Sequence, residues 1–132
     1  KKKNLKAYKK MASDGGKIWM KHGALEYWEC VGEDLNMPDP TKPKKKSNPF
    51  AKRFNLKPTD TVLFSWIIYR SKAHRNQVNK KVMADPAMNM GGFEMKDMPF
   101  DMKKVLYGGF SPIVMMKGVR LMARNEKIRS TG

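Results

Sequence analysis

Cysteine is almost missing from this 132-residue chain. Cys30 is the only one, which excludes an internal disulfide. Because it falls inside an apolar stretch, it fits a reducing compartment, and a cytoplasmic protein is expected. Histidine is nearly as scarce. His22 and His74 join Cys30 as the only strong transition-metal ligands. They form no CxxC or HExxH pair, so no metal is expected. The glycine pairs Gly15-Gly16 and Gly91-Gly92 lack the GxGxxG and Walker patterns that cradle phosphates, and no cofactor is expected. No apolar run approaches the ~20 residues of a membrane helix. The opening KKKNLKAYKK has no apolar segment after its lysines, so neither a secretion signal nor a membrane partner is expected. Acid is also in short supply. There are 12 Asp and Glu against 28 Lys and Arg, a net charge of +16. That balance implies solubility or attraction to phosphate-rich partners, and it says nothing about fold.

What the chain does have is TVLFSWIIY at 61–69. Val62, Phe64, Trp66 and Ile68 fall on one side of a strand, and Leu63, Ser65, Ile67 and Tyr69 on the other. A half-exposed strand alternates apolar with polar. This one is apolar on both sides, so both faces are expected to be covered.

Before it, residues 5–21 read as a helix. Leu5, Tyr8, Ala12 and Trp19 share a face, Gly15-Gly16 forms a weak point, and Gly23 is a stop. ALEYWECV at 24–31 reads as a strand. Residues 35–60 hold five prolines and the run Lys44-Lys45-Lys46, and read as a long exposed loop with a short edge segment near 50–56. After the central strand, Ser71 is a natural N-cap for a helix over 72–84, ended by Asp85-Pro86. Residues 87–102 read as a loop whose Phe93, Met95, Met98 and Phe100 cap the core. VLYGGFSPIV at 105–114 reads as a last strand, with Gly108-Gly109 marking a bulge or a close backbone approach. Residues 115–132 form a basic tail, helical through Val119, Leu121 and Met122 or unstructured.

The order helix, strand, loop, strand, helix, strand gives an α+β class with two helices on one face of an antiparallel sheet. It is the ferredoxin-like order with its first strand absent, which leaves the last strand without a neighbour. The domain spans 1–114 and the tail 115–132.

Three stretches, HGALEYWECVGEDL at 22–35, LKPTDTVLFSWIIYRSKAHRNQVNKKVMADPAM at 56–88 and MPFDMKKVLYGGF at 98–110, resemble the bacterial YbaA-like family. That is a domain of unknown function in the dimeric α/β-barrel superfamily. Family members open with a further strand before the segment matching KKKNLKAY. The lysines at 42–46 and the tail depart from the family pattern. The resemblance implies a ferredoxin-like subunit in a homodimer, with the partner's sheet covering the second face of the central strand. Relatives elsewhere in the superfamily include cofactor-independent monooxygenases, haem-degrading enzymes and stress-response proteins. Fold alone does not fix a function among them.

The residue types left for chemistry suggest a small-molecule pocket lined by Trp28, Trp66, Tyr69 and Tyr107, with His22, Glu26, Glu29 and His74 as polar members. In cofactor-independent oxygenase-type chemistry, a His or Glu would take a proton from an electron-rich substrate. Against this stand plainer roles. The tryptophans suit a core or a dimer seam, the glutamates ion pairs, and the histidines helix ends. Cys30 and Ser65 read as core rather than nucleophiles. The alternatives from other classes are a non-catalytic structural or stress-related dimer, and an RNA- or DNA-binding protein using Lys44, Lys45, Lys46, Lys52 and Arg53. No aromatics are interleaved with those cations as a single-strand stacking platform needs.

Overall fold

The computed structural model describes residues 1–88 and 98–118. Helix α1 (Leu5–Lys21) leads to strand β1 (Glu26–Val31), a short hairpin of β2 (Met37–Asp39) and β3 (Lys42–Ser47), helix α2 (Pro49–Phe54), strand β4 (Leu63–Ile68) and helix α3 (Lys72–Ala84). The class is α+β, built on small open antiparallel sheets. Strands β1 and β4 pair antiparallel from Glu26 opposite Ile68 to Val31 opposite Leu63.

Helix α1 runs unbroken through Gly15-Gly16 because its apolar face is packed. Ala12 and Gly16 are buried, and the Tyr27 ring lies against Gly16 so closely that a Cβ there would sit 2.7 Å from Cδ1. The helix ends as its sequence predicts. Gly23 takes φ +106°, Ala24 donates to the Trp19 carbonyl at 3.0 Å and Gly23 to Met20 at 3.2 Å. This is the paired-bond glycine stop of a Schellman motif. The Ser71 hydroxyl caps α3 by accepting from the His74 N–H at 3.1 Å.

Both long helices lie on one face of the β1–β4 pair. Val78 and Val82 are fully buried with Ala24, and Ile18, Trp19, Ile67, Tyr69 and Met88 pack around them. The other face is bare. Trp28, Phe64, Trp66 and Ile68 are all exposed, so the described residues cover only one of the two apolar sides of β4.

The expected loop at 35–60 is instead structured. Asp39 accepts from Thr41 N–H at 2.8 Å and from its hydroxyl at 2.6 Å, a side-chain-closed turn that reverses the chain into the hairpin. Pro38 and Pro43 are tolerated because a two-stranded ribbon is all edge. The expected edge segment near 50–56 is the helix α2. Pro49 occupies its first turn, where no N–H is needed, and the Asn48 side chain caps it by accepting from Ala51 at 3.0 Å.

The expected last strand is not formed. Residues 105–114 have no regular structure, and Tyr107, Phe110 and Ile113 are more than nine-tenths exposed. Two glycines and Pro112 weaken that stretch as a strand, and no strand among the described residues lies beside it to supply ladder bonds. Neither the bulge nor the close backbone approach expected at Gly108-Gly109 is seen; the atoms nearest the space a Gly109 side chain would need are those of the Arg75 guanidinium. Phe93 and Met95, expected to cap the core, and the tail from residue 119 lie outside the described residues. Phe100 caps the inner layer, packing edge-on to Tyr8 at 5.8 Å.

Candidate functional site: an exposed aromatic face

Strand alternation distributes the candidate residues to opposite sides of the sheet. On the bare face, Trp28 lies opposite Trp66 and Glu26 opposite Ile68. The two indoles stack with centroids 5.7 Å apart and planes 17° from parallel, and Phe64 adjoins Trp66 at 5.4 Å. Offset stacks of this kind are worth about 0.5–1.5 kcal/mol beyond the area they bury. Cys30 shares the face opposite Phe64. Glu26 is exposed and makes no hydrogen bond or ion pair through its side chain among the described residues.

Glu29 projects to the helix side. Its carboxylate accepts from the Tyr8 and Tyr27 hydroxyls, each at 2.7 Å, and from the Ser65 hydroxyl. Burial, reinforced by the bond to Glu29, pushes the Tyr8 phenol up to about 12 and raises that of Tyr27 as well. Both phenols therefore stay protonated donors near neutral pH. This cluster joins α1 to both strands of the sheet.

Farther along the same side, Trp19 donates its indole N–H to the Tyr69 hydroxyl at 3.2 Å, and Tyr69 donates to Asn79 at 3.0 Å. Burial is the main cause raising the Tyr69 pKa. His74 is buried edge-on to Tyr69. Its Nδ1 accepts the Arg70 backbone N–H at 3.0 Å.

His22 is separate again. Its Nε2 lies 2.7 Å from Asp85 Oδ2, with the Lys21 ammonium at 3.4 Å from the same oxygen. The other oxygen of Asp85 accepts from Ala87 N–H at 2.9 Å. The His22 contact, then the Ala87 bond, hold the Asp85 carboxyl down at about 2. This cluster ties the end of α1 to the end of α3.

Of the eight pocket candidates, Glu26, Trp28 and Trp66 therefore share one surface. Glu29, Tyr69 and His74 lie on the opposite side, His22 is bound at the helix ends, and Tyr107 is almost fully exposed. Tyr8, Tyr27 and Asp85 complete clusters that sequence reasoning did not assemble. The i, i+2 spacing of Tyr27 and Glu29 was the available signal for one of them. Among the described residues no group of three or more His, Cys, Asp or Glu side chains could hold a metal ion. No described helix is long and apolar enough to cross a membrane.

Comparison with known sequences agrees with the sequence motifs. The model of a family described as "Protein of unknown function (DUF1428)" matches residues 1–102. The chain is 36% identical over 108 residues to "Uncharacterized protein YbaA" of Escherichia coli (strain K12), covering 82% of this chain and 84% of that protein. The same figures hold for the protein of that name in Shigella flexneri.

Proposed function

The chain belongs to the DUF1428 family of proteins of unknown function, and from that premise we propose that it works as a ferredoxin-like homodimer of the α/β-barrel type. In this reading the bare faces of two β1–β4 sheets meet and enclose a small-molecule site. The observation that carries it is the stacked pair Trp28 and Trp66, 48% and 36% exposed, beside Phe64 at 67%. Three large aromatic side chains on one sheet face forgo burial worth about 25 cal/mol per Å² of apolar surface. Contiguous apolar patches of this kind mark interaction sites in soluble proteins. A second copy offers the same patch, as a two-fold interface requires.

Glu26 is the carboxylate that shares this face. A planar aromatic ligand stacked on the indoles would present an acidic proton to it. Cofactor-independent oxygenation, the chemistry found elsewhere in the superfamily, would begin with that transfer. His22 and His74 have no part in it, because neither lies on this face: His22 is held at the helix ends by Asp85, and His74 is buried at the start of α3, where it accepts from the Arg70 N–H.

Tryptophan fluorescence of the purified chain titrated with 2-naphthol tests the ligand site. Saturable quenching that disappears in Trp28→Ala and Trp66→Ala supports it. Equal quenching in both variants and the wild type refutes it, and leaves a non-catalytic dimer as the reading of the face.

A further inference from the structure

The β2–β3 hairpin carries a dense run of exposed cations. Strand β3 reads KPKKKS, and all six of its residues are exposed. Lys52 and Arg53 follow in the last turn of α2. Asp39, the acid at the hairpin turn, spends its carboxylate on Thr41. Those bonds hold its carboxyl below the usual range, and α2 follows β3 after the single residue Asn48. Lys42, Lys44, Lys45, Lys46, Lys52 and Arg53 make no ion pair among the described residues.

We propose that the β2–β3 ribbon and the end of α2 form a docking surface for duplex DNA, holding phosphates without reading sequence. Charge complementarity points to a polyanion, and the shape of the element narrows the choice. A two-stranded ribbon with backbones ~4.8 Å apart fits the ~12 Å major groove of B-form DNA, whereas the deep, narrow major groove of duplex RNA does not admit it. β2 and β3 carry no aromatic side chain on which unpaired bases could stack. The hairpin exposes one large apolar side chain, Met37 on β2, too little apolar surface to seat it in a bilayer.

Six neutralised phosphates give a slope of log K against log salt of about −5. Fluorescence anisotropy of the full chain with a short labelled DNA duplex, between about 50 and about 200 mM salt, reads that slope. The triple variant Lys44→Ala, Lys45→Ala, Lys46→Ala is expected to flatten it to about −3 and to weaken binding about tenfold or more. Its circular dichroism should be unchanged, since all three side chains are exposed. The control Lys6→Ala, Lys9→Ala, Lys10→Ala on α1 should leave the slope near the wild-type value. The proposal is overturned by no binding at the lowest salt, or by an equal slope in the ribbon variant and the wild type. It is equally overturned by the same loss in the α1 control, or by tighter binding to single-stranded DNA or to vesicles containing phosphatidylserine.

Discussion

Gly15 and Gly16 are neighbours in the middle of α1, and alanine at the two positions should act with opposite sign. In a helix interior, alanine is favoured over glycine by about 1 kcal/mol. At Gly15 nothing opposes that gain, because a Cβ would meet only the Tyr27 hydroxyl, at 4.0 Å. At Gly16 the Cβ would lie 2.7 and 2.8 Å from two Tyr27 ring carbons and 3.3 Å from the ring's root. The ring must move away, and overpacking of this kind costs about 1–3 kcal/mol. The displaced hydroxyl also loosens from Glu29, and a hydrogen bond to a charged group contributes about 1.5–3 kcal/mol. Offset by the helix gain, Gly16→Ala should destabilise by about 1.5–5 kcal/mol, while Gly15→Ala stabilises by up to about 1 kcal/mol. Urea unfolding followed by circular dichroism at 222 nm, a wavelength chosen for helix signal, gives both values. Similar stabilisation by the two alanines would show that Tyr27 is not seated on Gly16, and the inner layer would have to be redrawn.

Glu29→Gln replaces a carboxylate that accepts three hydroxyls with an amide that must turn a donor toward one of them. A loss of about 1.5–3 kcal/mol in the same assay is expected. Asp85 has a depressed pKa of about 2, so its contribution is present above the unfolded carboxyl value and is lost as pH falls through the folded one. The urea midpoint of the wild type should therefore fall between about pH 4 and pH 2 more steeply than that of Asp85→Asn. Tyr8 and Tyr27 are raised, and here the sign reverses. Their contribution is whole below about pH 10 and drains away as pH rises toward the folded values, a limb that Tyr8→Phe should shorten. Ser71→Ala removes the hydroxyl that accepts from His74 N–H and should cost about 1 kcal/mol in thermal unfolding.

The two long helices and the two paired strands were legible in the sequence because their signals are local. Apolar spacing, Ser71, Gly23 and Asp85-Pro86 act within a turn of the residues they govern. The hairpin at 37–47 was not legible by counting prolines. A single Asp39–Thr41 turn outweighs them once the ribbon has no inner strand to disrupt. The stretch at 105–114 failed in the other direction. Its apolar run is strand-like, but a strand is defined by its neighbour, and composition says nothing about that. The site was half legible. Trp28 and Trp66 could be placed opposite one another only after the register was known, since a shift of one residue sends a side chain to the other face. Glu26 and Glu29 look alike in the sequence, yet they lie on opposite faces of the sheet. Asp85 was read as a helix stop, and its bond to His22 spans 63 residues of sequence.

Sedimentation velocity of the wild type and of Trp66→Glu bears most directly on the meeting of two sheets. The wild type should sediment at twice the 15.2 kDa of a single chain. The variant should fall to the single-chain mass with its helical circular dichroism intact, because Trp66 lies inside the strand pair opposite Trp28, where a carboxylate removes the indole stack and would be buried without a counter-charge. A wild type that stays at the single-chain mass across the concentration series, or a variant that remains paired, contradicts the proposal.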